Sequence, residues 1–162
     1  MSLIIENTPL ISGLDVWTAS IDSLPSVNYS ALNYSDCDTG RCHCIDDAVV
    51  EQISDCFTKD VIDTKILEPY EIQVSILKNK PNFELIPHFD NDGMLGVIII
   101  NLINSNTSTK FYDTNDSEIG QSLVDYSKGV MYLNNWDFKH CYKNTSSVNR
   151  YIALCVINKN KQ

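Results

Sequence analysis

From residue 70 onward, short apolar runs alternate with clusters of turn-forming residues. Eight runs read as strands, at about 72–78, 83–90, 95–103, 109–112, 121–125, 129–134, 138–142 and 150–157. They are rich in Ile, Val, Tyr and Phe and too short for helices, which is the composition and length of strands in a sheet. The separators carry turn chemistry. Asn79-Lys80-Pro81-Asn82 follows the first run, Asn91-Asp92-Gly93 the second and Asn104-Ser105-Asn106 the third, and Ser127-Lys128-Gly129 opens the sixth. The pattern predicts a mainly β core over residues 71–157.

The first seventy residues have a different rhythm. Asp46 is placed to cap a helix running to about Asp60, with Val49, Val50, Ile53 and Phe57 on one stripe. That helix is expected to support the outside of a sheet and to carry no chemistry. Ile4–Leu14 and Asp15–Ile21 supply an edge strand or two, and 23–40, rich in Ser, Asn and Asp, reads as loop. No repeat, low-complexity tract or linker interrupts the chain. Its 162 residues are expected to form a single domain, 1–162, with 1–70 as a helix and loop segment beside the core.

Composition narrows the function. No apolar run approaches the roughly 20 residues that span a bilayer. The start, Met1-Ser2-Leu3-Ile4-Ile5-Glu6, lacks the basic end and apolar centre of a signal peptide. A soluble, cytoplasmic protein without a membrane partner is expected. The net charge of −9 argues against a nonspecific grip on nucleic acid, which needs basic surface.

The candidate chemistry lies in Pro87-His88-Phe89-Asp90, with His140 downstream and Arg150 ten residues beyond it. Two histidines and one carboxylate can occupy one face of an octahedral metal and leave the opposite face open. On a strand, His88 and Asp90 share a face while Phe89 points away. Arg150 opens the apolar run Arg150-Tyr151-Ile152-Ala153-Leu154-Cys155-Val156-Ile157. A cation there needs a partner, because an unpaired buried charge is costly. Its planar fork of donors suits a carboxylate. By alternation it shares a face with Ile152, Leu154 and Val156.

These motifs, together with Thr109-Lys110-Phe111-Tyr112 and Lys139-His140-Cys141-Tyr142, resemble the iron(II)/2-oxoglutarate-dependent dioxygenases, most of all the prolyl-4-hydroxylase-like members. The resemblance spans about Glu71 to Ile157. It implies a double-stranded β-helix, or jelly roll. It also implies that His88, Asp90 and His140 ligate Fe(II), and that Arg150 binds the distal carboxylate of the co-substrate 2-oxoglutarate. O2 would be the oxidant. Members that halogenate replace the carboxylate ligand with a small residue, so Asp90 points to hydroxylation or a related oxidation. The sequence departs from the family where a second group shares the distal carboxylate. Val97-Ile98-Ile99-Ile100-Asn101 holds no tyrosine, and Ile152, Ala153 and Leu154 offer no hydroxyl. Asn101, Tyr112 and Tyr132 are the candidates in their place.

Several readings stay open at this level. Trp136 and Phe138 are expected either to wall the pocket or to pack in the core. The Cys37, Cys42, Cys44 and His43 cluster has poor spacing for zinc, and reduced thiols are the expectation. Cys141 should face away from the metal, and Cys155 should be buried. A small-molecule or peptidyl substrate suits the site. Two other readings fit the same fold, a non-catalytic jelly-roll binding or structural protein and a cupin-like metalloprotein that does without 2-oxoglutarate. Neither needs a cation at the depth of Arg150.

Overall fold

The computed structural model describes residues 2–36 and 38–160. Two strands come first, β1 (Leu3–Pro9) at a sheet edge and β2 (Val16–Ile21) beside it, followed by a loop and the short β3 (Arg41–His43). Two helices follow, α1 (Asp47–Ser54) and α2 (Lys59–Ile62). The rest is strand: β4 (Tyr70–Asn79), β5 (Glu84–His88), β6 (Met94–Asn101), β7 (Lys110–Tyr112), β8 (Glu118–Gln121), β9 (Lys128–Leu133), β10 (Lys139–Lys143) and β11 (Arg150–Lys159). They form a seven-stranded antiparallel sheet, β1-β2-β9-β6-β11-β4-β3, and a four-stranded one, β5-β10-β7-β8. The chain crosses between the sheets in jelly-roll order, as the resemblance implies.

The large sheet is covered on both faces. Ile98, Ile100, Met131, Ala153, Cys155 and Ile157 pack with Ile53, Phe57 and Ile62 of the helical segment. The residues between them, Val97, Ile99, Val130, Tyr132 and Ile152, face the small sheet and meet Phe111 and Phe138. Strands buried on both faces lose the apolar-polar alternation and read as continuous apolar runs. That is why β6 and β11 stand out so strongly in the sequence. Gly129 marks the closest strand approach. A Cβ there would lie 1.8 Å from the Ile99 carbonyl oxygen, a backbone atom that cannot rotate aside. Gly129→Ala is therefore expected to destabilise the protein by about 2–3 kcal/mol, read as a lower urea midpoint at unchanged slope.

Three expectations need correction. The helix predicted from Asp46 to Asp60 stops at Ser54 and resumes as α2. Asp46 does not cap it through its side chain, because its carboxylate accepts from the Asn33 backbone N–H and side-chain amide, at 2.7 and 2.9 Å. The strand expected at 121–125 lies at Glu118–Gln121. Asp113 Oδ1 accepts from the N–H groups of Asn115 and Ser117 and closes the hairpin early. Thirdly, Cys42 is buried and disulfide-bonded, so reduced thiols do not hold throughout. Cys44, Cys56, Cys141 and Cys155 are free, and Cys37 lies outside the described residues. No helix among the described residues is long and apolar enough to cross a membrane.

Candidate metal centre

β5 and β10 pair antiparallel with His88 directly opposite His140. The register brings the two imidazoles edge to face, with ring centroids 4.3 Å apart. Asp90 lies just past the end of β5, on the same side as His88. Its Oδ1 is 3.5 Å from His88 Nε2 and 3.3 Å from His140 Nε2. One donor atom from each of the three residues lies within 4.8 Å of the others. Metal–ligand bonds of about 2.1 Å at right angles put neighbouring donors about 3 Å apart, so one small divalent cation suits this spacing.

The surroundings orient the donors. His88 Nδ1 lies 2.6 Å from the Ile86 carbonyl oxygen, which can only accept. Nδ1 therefore carries the proton and Nε2 turns its lone pair inward, an arrangement common in metal-binding histidines. The His140 ring packs 4.6 Å from Tyr132. The hydrogen bond to Asp90, against the opposing effect of burial, raises the His88 pKa. Burial alone would raise Asp90, but hydrogen bonds and charge from both histidines outweigh it and hold the carboxyl well below the usual carboxylate range. Its second oxygen, Oδ2, is buried and has no hydrogen-bond partner. An ionised carboxylate with an orphaned oxygen is what a missing cation would satisfy, and with two imidazoles this donor set fits iron(II).

The three residues line a cavity of about 260 Å³ between the sheets. Its far wall is the large sheet, from which Arg150 projects beside Leu154 and Val156. Arg150 is 3 % exposed. Its Nη2 donates to Thr109 Oγ1 at 3.3 Å, its Cζ lies 3.9 Å from the Tyr142 ring centroid, and its Nε has no partner. Burial pushes its pKa down to about 10, so it stays charged at neutral pH. A charged fork with unused donors, facing a cavity with a cation site across it, can take a carboxylate.

Of the residues suggested for sharing that carboxylate, Tyr132 lines the cavity, and burial keeps its phenol protonated. Asn101 and Tyr112 do not line it. The Asn101 amide is spent on the carbonyls of Leu123 and Lys128, at 2.8 and 2.7 Å. Tyr112 lies with Cys141 on a separate, larger cavity of about 500 Å³ that holds none of the triad. Trp136 is 67 % exposed and stacks on Phe89, while Phe138 is core, so neither walls the site. Cys141 faces away from the triad and Cys155 is buried, as expected.

Three contributors escaped the sequence reading. Thr109, just before β7, brings to Arg150 the hydroxyl that Ile152, Ala153 and Leu154 lack. Asn134 donates to the carbonyls of Asp90, Asn91 and Met94, at 3.3, 2.8 and 3.1 Å, and pins the loop that carries the carboxylate. Arg41, the chain's other arginine, lines the same cavity. Only its rarity could have flagged it. Among the described residues, His88, Asp90 and His140 form the one cluster able to hold a metal, and the Cys42 region offers none.

No protein-family model matches the sequence, and no curated protein matches it. Solved structures do. A viral collagen prolyl hydroxylase from Paramecium bursaria Chlorella virus 1, in its 2OG complex, matches at 14 % identity and a TM-score of 0.55, over 75 % of this chain and 79 % of that one. A 2OG-Fe(II) oxygenase family oxidoreductase from Burkholderia pseudomallei matches at 10 % and 0.57, over 90 % and 69 %. A Trichoplax adhaerens prolyl hydroxylase, in complex with a hypoxia inducible factor peptide fragment, matches at 12 % and 0.55, over 74 % and 63 %. At these identities the likeness establishes the fold.

Proposed function

We propose that the chain is an iron(II)- and 2-oxoglutarate-dependent dioxygenase that acts as a hydroxylase. The observation that carries this reading is one cavity holding both a two-histidine, one-carboxylate donor set and a buried arginine with an unpartnered Nε. A metal-binding barrel without 2-oxoglutarate would have no use for that cation.

His88, Asp90 and His140 hold the metal in this reading. When bound, iron(II) and 2-oxoglutarate supply the oxidising chemistry, in which O2 is consumed and the co-substrate becomes succinate and CO2. The protein's own part is positioning. Arg150 anchors the distal carboxylate, and Thr109 holds the guanidinium in place. The Ile86 carbonyl fixes the His88 tautomer, and Asn134 fixes the loop under Asp90. Met94, Val97, Leu154 and Val156 give the cavity apolar walls that exclude water. The oxidised substrate is a small molecule or a peptide. The peptide carried by the Trichoplax hydroxylase supports the second as a class.

Anaerobic addition of Fe(II) and then 2-oxoglutarate tests the reading. A visible metal-to-ligand charge-transfer band is expected, absent with either component alone, followed by succinate release when O2 and a substrate are admitted. Metal binding with no band and no succinate would favour the cupin-like alternative.

A further inference from the structure

Both of the chain's arginines enter the same cavity. Their convergence is written in the register. Arg41 of β3 pairs with Asn79 of β4, and Asn79 pairs on its other side with Arg150 of β11. Residues directly opposite across neighbouring strands share a sheet face. Arg41, Asn79 and Arg150 thus form one row, with the two arginine Cα atoms about 10 Å apart. Two side chains of arginine length close that gap easily.

Arg150 Nε is buried and has no hydrogen-bond partner. Among the described residues, neither guanidinium has a carboxylate partner. Arg41 donates from Nε to Asn79 Oδ1 at 3.0 Å, and Arg150 donates from Nη2 to Thr109 Oγ1 at 3.3 Å. Each is otherwise held by an aromatic ring, Phe83 at 4.8 Å for Arg41 and Tyr142 at 3.9 Å for Arg150. Burial depresses the pKa of both, and the Arg41 charge adds to the effect on Arg150. Two like charges in one cavity, with no protein carboxylate paired to either among the described residues, are stabilised by a ligand carboxylate that both can reach.

We propose that Arg41 and Arg150 clamp one ligand carboxylate together, so that the cavity selects a dicarboxylate over a monocarboxylate with the same metal-binding end. The proposal rests on the co-substrate reading above. It makes Arg41 the second contact that neither the β6 strand nor the residues after Arg150 provide.

Calorimetry on the Mn(II)-loaded protein tests it with two oxalyl probes, N-oxalylglycine, which carries a distal carboxylate, and N-methyloxamate, which lacks one. Arg41→Gln keeps a donor for Asn79 and removes the charge. It is expected to weaken N-oxalylglycine binding by about ten-fold or more, the effect of one charge-assisted hydrogen bond. N-methyloxamate binding and Mn(II) affinity should change less than about two-fold, since no charge on those ligands meets Arg41. Arg41→Lys should fall between, keeping the charge without the fork. It also stands in if Arg41→Gln fails to fold. Unchanged N-oxalylglycine affinity in a folded variant overturns the proposal. So does an equal loss for both probes, which would mean a merely structural Arg41. If the wild-type protein binds N-oxalylglycine no better than N-methyloxamate, the co-substrate reading itself fails, and the clamp with it.

Discussion

Asp90→Ala is expected to abolish the proposed coupled turnover and to weaken divalent-metal binding by more than the roughly 10–100-fold loss typical of a ligand's supporting residue. The expectation follows from what Asp90 touches. Its Oδ1 faces both imidazoles, and its buried Oδ2 has no hydrogen-bond partner. It is the negatively charged donor of the set, so alanine leaves two neutral imidazoles to hold a dication. The fold should hardly respond. Asp90 belongs to neither apolar cluster, and its backbone is pinned independently by Asn134. A change below about 1 kcal/mol, or about 2–4 °C in Tm for a chain of this size, is expected in the metal-free protein. Mn(II) titration followed by electron paramagnetic resonance gives the affinity, and a thermal melt gives the stability. Normal turnover in the variant, or loss of the folded state, would remove the assignment of Asp90 as a ligand.

The sequence carried the site better than its edges. His88 and His140 sit on strands long enough to be legible, and strand alternation alone put His88 and Asp90 on one side. Arg150 was conspicuous as a cation opening an eight-residue apolar run. What was hidden depends on register between distant segments. β3 is three residues long, inside a cysteine-rich segment with no apolar run, and forms because it pairs with β4 some 38 positions away. Nothing local says that Arg41 faces a cavity. Thr109 is similar, since its hydroxyl reaches Arg150 from the opposite sheet, where a search near the arginine in sequence does not look. The strand expected at 121–125 was misplaced by local chemistry of another kind. The short apolar pair Leu123-Val124 between polar residues imitates a strand, whereas the Asp113 side chain sets the hairpin three residues earlier. Asn101 looked available because it ends an inward-facing strand, but loop carbonyls consume its amide.

Arg150→Ala separates the dioxygenase reading from its rivals more sharply than any change to the triad, because a metalloprotein of any kind needs the ligands. Arg150 is 3 % exposed, and its Nε has no hydrogen-bond partner. Deleting one side of a desolvated charged pair costs about 2–5 kcal/mol, so N-oxalylglycine should bind roughly thirty-fold more weakly or worse. Metal affinity should move far less, since Arg150 contacts Thr109 and Tyr142 and is not a ligand. Arg150→Lys should be intermediate, with the charge kept and the paired donors lost. Stability argues in the same direction. A buried, under-bonded cation carries a desolvation cost of its own, so its removal relieves that penalty while losing one long hydrogen bond and a ring contact. The ligand-free variant should melt close to the wild type, whereas the stabilisation conferred by saturating N-oxalylglycine, which follows from mass action, should largely disappear. Calorimetry and ligand-dependent melting read the two effects separately. Equal N-oxalylglycine affinity in wild type and Arg150→Ala would mean that the arginine serves the fold alone, and the site would then be a metal centre without a co-substrate anchor.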